Sequence, residues 1–473
     1  MIRRLLAPLA AAGLLLAPAA APAQGFPKAM PAAGTPKPFT VPASETYTLA
    51  NGMQVTLIPY GQIPKATVSL RVYAGGLNEG EDRWLSTLTA QMLREGAAGR
   101  SGSDIAEAAA GMGGGLGVGA GPHETLLGIS VLSEHTDKAV RLIGDVARRP
   151  DFPESEFARV RDSLLRNLAV AKSQPQSAAD AALAAAYYGP RHPYGSPYPT
   201  EAKLKAYSLD RVRTFHQENF GARRTRLYIA GRFDSAAVKE AINLAFGDWP
   251  GGPERLRLPA QPQPGPRLIL VDRPDAAQST MRIAFPAPVA GDPSDLRFRV
   301  TNALLGGAFN SRITTNIREK RGYTYSPGSG LTFNPGEAMW AFNADVTTAV
   351  TGPALQEVIG EIRRLQTEPP TETEAAGMRT YMAGIFVLQN ASPPGLIGSI
   401  ATRDFHGLPG NWLESYIPGV LAVDAAAMQS IARQTLPLER MTIVVVGDLA
   451  KVEPQLKAVP ELRNVKFERV KPF

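Results

Sequence analysis

In the stretch NIREKRGYTYSPGSG, Asn316 to Gly330, Arg318, Tyr323 and Tyr325 surround a glycine, and no nucleophile, carboxylate pair or metal-ligand set stands beside them. Arginine stays charged and a phenol offers an O–H donor, so the group suits a place where negative charge develops. Nothing in it could break a bond unaided. Arg318 ends a helix-like run, Gly322 can take the left-handed conformation that stops it, and YTYS reads on as strand. Strand alternation sets Tyr323 and Tyr325 on one face and Thr324 on the other. By spacing alone, a surface ion pair beside core tyrosines is the better fit.

Other chemistry is hard to find. His123, His135, His192, His216 and His406 never fall in H-x-x-H, H-E-x-x-H or H-x-x-E-H spacing, and no cysteine could complete a site. Each therefore reads as a surface or hydrogen-bonded structural histidine. There is no G-x-S-x-G elbow, and SPGSG around Ser329 lacks a strand-to-helix context. The glycine run Gly111 to Gly121 lacks the Lys-Ser/Thr of a phosphate loop and reads as a strand edge or loop. Basic residues are scattered without an aromatic stripe, which does not support a nucleic-acid surface.

The elements that must position Arg318 and the tyrosines follow from the rest of the chain. Its 473 residues, 44% hydrophobic and 20% charged, suit a globular protein of two domains. Residues 1–23, with Arg3 and Arg4, an apolar stretch and Ala21-Pro22-Ala23, read as a secretory signal cleaved before Gln24. Cleavage takes the net charge from +7 to +5. With no cysteine for a lipid anchor and no later apolar run near the roughly 20 residues that span a bilayer, the expected location is the periplasm. Residues 24–44 read as an extended tail, 45–248 as one domain, 249–266 as a Pro/Gly linker and 267–473 as a second domain. Each half opens with two strand-like runs and closes on a β-branched run that stops at glycine and enters a helix, as in RLYIAGRFDSAAVKEAI and MTIVVVGDLAKVEPQL. Between them, Phe157, Val160, Leu164 and Leu168 recur at helical spacing. The expected fold class is α+β: two similar domains, each a β-sheet with helices packed on one face, related by internal duplication.

Several segments in order carry a family resemblance: LANGMQVTLIPY, VYAGGLNEG, ARRPDFPESEFARVRDSLLRNL and HPYGSPYPTEAKLKAYSLDRVRTFHQENFGARRTRLYIAG, then LLGGAFNSRITTNIREKRGYTYSPGSG, then GLPGNWLESYIPGVLAVDAAAMQSIARQTLPLERMTIVVVGD. The chain resembles the pitrilysin and mitochondrial-processing-peptidase superfamily of zinc peptidases over nearly all of its expected mature length. In zinc-bearing members an H-x-x-E-H helix supplies two ligands and a base, and a glutamate on a later helix supplies the third ligand. The matching helix here is RWLSTLTAQMLREG, and the matching positions are Thr87, Ala90 and Gln91, with Arg166 and Asn167 where the later glutamate should fall. Arg166 would also repel a divalent cation. No catalytic zinc is expected in this chain.

What survives is the Arg318 and Tyr325 pair, seven residues apart. The resemblance implies that these two reach a zinc site in another domain, bind the substrate carbonyl and stabilise the oxyanion in trans. Tyr323 stands where the family usually has a small or aliphatic residue and is counted with the substrate-binding group, its part left open. The expected function is that of a zinc-less subunit of a heterodimeric periplasmic zinc metallopeptidase. It would be inactive alone and would pair with a homologous H-x-x-E-H chain, which holds the zinc, around short or unfolded peptides. The alternative is a structural or peptide-binding protein of the same fold, without hydrolysis.

Overall fold

The computed structural model describes residues 38–263 and 265–473. The expected signal, its cleavage site and most of the tail lie outside them. Residues Pro38–Phe473 form one compact unit, and no described helix is long and apolar enough to cross a membrane.

The runs rich in Val, Ile and Leu become strands, because such side chains pack well on a pleated surface buried on both sides. The first half holds β1 (Glu45–Thr48), β2 (Gln54–Pro59), β3 (Lys65–Val72), a small hairpin of β4 (Gly96–Ala97) and β5 (Arg100–Ser101), then β6 (Gly117–Ala120), β7 (Thr125–Leu132) and β8 (Thr225–Gly231). Its six-stranded sheet runs β1-β2-β8-β3-β7-β6. The second half holds β9 (Arg267–Asp272), β10 (Gln278–Pro286), β11 (Gly328–Asn334), β12 (Glu337–Thr347), β13 (Thr442–Gly447) and β14 (Lys466–Val470), ordered β11-β12-β10-β13-β9-β14.

The sheets repeat one plan. In each, the closing β-branched strand lies parallel to the opening strand (β8 on β2, β13 on β9) and antiparallel to the second (β3, β10). In each, a glycine-bearing strand forms one edge, β6 or β11. The opposite edges differ: β1 adds to β2 antiparallel, whereas β14 adds to β9 parallel. This is the duplicated α+β fold that the two matching half-chains imply.

Each sheet packs its own helices on one face. In the first half, Leu85, Leu88 and Met92 of the helix Leu85–Leu93 join Val160, Leu164 and Leu168 of the helix Glu154–Ser173 over Val68, Leu70 and Leu127. The other face is covered from across the chain. Ile58, Tyr228 and Ala230 of the first sheet pack against Leu396, Ile397 and Ile400 of the helix Pro393–His406. Reciprocally, Ala179, Leu183 and Tyr187 of the helix Pro175–Tyr188 cover Ile269, Val271, Val444 and Val446 of the second sheet. The connection between halves has neither helix nor strand in its described part. It is tied down by Ala222 N–H to the Pro250 carbonyl (3.0 Å), Arg223 N–H to Gly251 (2.9 Å) and Gln263 N–H to Tyr187 (2.7 Å).

Candidate functional site

Ser311 opens the unit that carries Arg318. Its hydroxyl accepts from the Thr314 N–H and caps a short helix, Arg312–Thr314, which continues as a wider π turn through Thr315–Lys320. Such turns are rare and frequently mark functional sites. Gly322, at φ +64°, takes the left-handed conformation that ends the helix. Its N–H donates to the Arg318 carbonyl at 3.0 Å, and that of Tyr323 to the Ile317 carbonyl at 2.8 Å.

Beyond Gly322 the chain departs from the expected strand. Only Thr324 bridges, to Val346, with its hydroxyl donating to the Asp345 carbonyl at 2.7 Å. Strand β11 begins at Gly328, one residue past Pro327, which has no N–H to give a ladder. The expected sharing of a face fails with the strand. Tyr323 leans on the second-half core, whereas Tyr325 is 80% exposed.

Arg318 lies between two rings. Its guanidinium carbon is 4.7 Å from the centre of Phe309 and 4.8 Å from that of Tyr325, and its Nε is 3.2 Å from the Glu319 carboxylate. Phe309 is itself 71% exposed. Exposed cation–π contacts contribute about 0.5–1 kcal/mol and exposed ion pairs about 0–1 kcal/mol, so the stack sets the direction of Arg318 more than it stabilises the fold. The arrangement presents a fixed positive charge beside an exposed phenol.

The helix Leu85–Leu93 carries Thr87 and Gln91, half-buried, and Ala90, buried. Its start is set by Glu79, an acid of the polar turn whose role could not be read from the sequence. The Glu79 carboxylate accepts from Trp84 N–H at 3.1 Å, from Ser86 N–H at 2.9 Å and from the Ser86 hydroxyl. Burial pushes this carboxyl above its usual range despite those bonds. Arg166 and Asn167 are exposed on the packed helix Glu154–Ser173. Zinc is held by imidazole, thiolate and carboxylate groups; a hydroxyl, a methyl, amides and a guanidinium do not fit it. Among the described residues, no three His, Cys, Asp or Glu side chains are grouped to hold a metal ion.

The histidines divide. His216 is buried and its Nε2 donates to the Ala147 carbonyl at 2.8 Å, His192 Nδ1 accepts from Tyr194 N–H at 3.2 Å, and His135 lies 3.8 Å from Glu134. His123, hydrogen-bonded to Asn334 Oδ1 at 3.1 Å, and His406 instead meet at the junction of the halves.

A duplicated α+β chain whose halves repeat one sheet plan, the second bearing an arginine–tyrosine unit, has the architecture of a class of peptidase-like proteins. The chain belongs to peptidase family M16, the pitrilysin-like superfamily. Residues 55–196 match the model described as Insulinase (Peptidase family M16), and residues 206–382 match that described as Peptidase M16 inactive domain. Similar proteins include the "Uncharacterized zinc protease" of Rickettsia felis, 25% identical over 59% of this chain and 68% of that one. A protein of the same description from Mycobacterium tuberculosis is 27% identical over 60% of this chain and 66% of that one. The chain thus spans about two thirds of these relatives' length. Among solved structures, a peptidase M16 inactive domain from Pseudomonas fluorescens superposes with a TM-score of 0.78 at 24% identity, over 85% of this chain and 98% of that one. A protease from Helicobacter pylori gives 0.78 at 17% identity, over 86% and 100%. These likenesses speak to the fold.

Proposed function

We propose that the chain is the zinc-less subunit of a heterodimeric zinc metallopeptidase, and that it donates Arg318 and Tyr325 to peptide binding and oxyanion stabilisation at the zinc site of a homologous H-x-x-E-H subunit. The observation that carries this reading is the stack of a half-buried Arg318 on an exposed Tyr325, in a family member whose ligand positions hold Thr87, Ala90 and Gln91. A permanently charged guanidinium and a phenol O–H pointing at solvent are the donors that a tetrahedral oxyanion needs. The expected signal at residues 1–23 supports a periplasmic address.

The test is reconstitution. The purified chain is expected to carry no stoichiometric zinc, to cleave no peptide alone, and to form a 1:1 complex with an H-x-x-E-H chain that cleaves unfolded peptides. About one tightly held zinc per chain by metal analysis overturns the proposal. The second reading, a peptide-binding or structural protein of this fold, is favoured by one detail: Arg318 already has a carboxylate neighbour in Glu319. Elution of the two chains unchanged on size exclusion would select it.

A further inference from the structure

A cleft of about 810 Å³ opens where the first half, the connecting segment and the second half meet. Arg223, Arg226, Arg255 and Arg257 face it, with His123 and His406, and Asp404 is the only acid in its wall among the described residues. Asp404 is already engaged: its carboxylate lies 3.4 Å from Arg226 and 2.8 Å from Arg403, and accepts from the Tyr228 hydroxyl at 3.0 Å. Arg223 has Glu254 at 3.9 Å. Arg255 and Arg257 have no carboxylate within 4.0 Å among the described residues, and residues 1–37 and 264 contain no Asp or Glu.

Arg255 is held in place. Its guanidinium carbon lies 3.9 Å from the centre of the Phe405 ring and 4.5 Å from that of Tyr73, and it donates to the Phe405 carbonyl at 3.0 Å. The backbone that delivers it is tied by the bonds from Ala222 and Arg223 described above, and by Arg224 donating to the Glu254 carbonyl at 2.6 Å. The Tyr73 hydroxyl beside it is buried and finds no partner among the described residues. Glu124, which acts on Arg255 from farther off, is already paired with Arg71. A half-buried guanidinium with no carboxylate in ion-pair range and a buried hydroxyl without an acceptor both cost stability. An anion in the cleft would relieve both.

We propose that this cleft binds a small organic oxyanion, a carboxylate- or phosphate-bearing molecule whose charge is taken by Arg255 and Arg257, with the Tyr73 hydroxyl donating and the apolar part resting on Phe405 and Leu258. The flat guanidinium fork matches either group, and the volume is that of a small-molecule site. Because the wall draws on both halves and their connection, the bound anion ties the halves together. His406 gives an independent readout. Burial, with Arg255, Arg299 and His123 adding to it, holds its pKa down to about 4; an anion among those cations raises it.

The experiment is calorimetric titration of the purified chain at constant ionic strength with phthalate and phenyl phosphate, two aromatic dianions. Saturable one-site binding is expected, weakened by about tenfold or more in Arg257→Gln and lost in Arg255→Met. A preference for phthalate identifies a carboxylate ligand and a preference for phenyl phosphate a phosphate ligand; equal binding supports the shared oxyanion chemistry. In parallel, the His406 imidazole followed by NMR should titrate at higher pH with the probe bound. Absence of saturable binding to both probes, or affinity unchanged in Arg257→Gln, overturns the proposal. Arg257 is exposed and without an ion-pair partner among the described residues, so its variant carries the test even if Arg255→Met does not fold.

Discussion

Ser101 and Ser311 each cap a helix that ends near a left-handed glycine, Gly113 at φ +82° in the first half and Gly322 at φ +64° in the second, before an edge strand, β6 or β11. Seven residues past the capping serine the first half has Ala108 and the second Arg318; fourteen past it they have Gly115 and Tyr325. The first helix, Gly102–Gly111, is regular α, closed by a capping box between Ser101 and Asp104, while the second widens into a π turn just where Arg318 sits. One backbone frame thus serves both halves, and what distinguishes them here is two side chains and a local rewinding, to which the proposed function assigns the chemistry. The same contrast recurs at the helix before it, where Thr87, Ala90 and Gln91 leave a well-packed helix without ligands. On the proposed reading, fold and function separate within a single chain.

The largest effect that could break this contrast lies in turnover. In the reconstituted complex, Tyr325→Phe should lower kcat on the order of 10²–10³, about 2.7–4 kcal/mol, with little change in KM or melting temperature. An unchanged kcat would make the second unit as inert as the first. Next comes packing between the halves: Ile400→Ala, under the first sheet, should cost about 3 kcal/mol in denaturant unfolding and still give one transition. Two separate transitions would show the halves to be independent.

A smaller effect is set by pH. The folded pKa of His406 lies at about 4, below the 6.5 of a free imidazole. Its contribution is therefore present above pH 6.5 and is lost as pH falls towards 4. With the solvent-exposed part of the ring discounted, this amounts to about 1–2 kcal/mol. Thermal melts of His406→Asn should be flatter than wild type across that window. The smallest test compares the glycines themselves. At Gly322 an added Cβ meets nothing within 4 Å, so Gly322→Ala should cost only the backbone strain, about 1 kcal/mol; at Gly113 it meets Leu132 Cγ at 3.2 Å, and Gly113→Ala should cost about 2 kcal/mol. Equal losses would mean that the two turns are held alike and that Leu132 gives way.

Much of this was legible in the residues. Strand runs such as RLILV and TIVVV have a β-branched signature that needs no tertiary context, and Val160, Leu164 and Leu168 bury the face their spacing assigns. The position of Arg318 before a left-handed Gly322 was legible too. The faces of Tyr323 and Tyr325 were not, because alternation presupposes a ladder and Pro327 keeps the ladder from forming until Gly328. The cleft left no local signal: Tyr73, Arg255 and Phe405 meet only through the tertiary fold. The same holds for the second layer on each sheet, since an alanine-rich helix such as Pro175–Tyr188 does not announce which sheet it will cover.

That exchange of covering helices bears on how the chain comes into being. Synthesis delivers the first half first, and multidomain chains ordinarily let each domain fold as it emerges. Here Ile58, Tyr228 and Ala230 remain a bare apolar strip until the residues around Ile400 have been made, more than 150 positions later. A nascent chain halted in the connection would hold a sticky, unfinished sheet, and closing such distant contacts is slow. The duplicated gene therefore cannot be cut at its seam into two self-sufficient proteins, although its sequence reads as two copies.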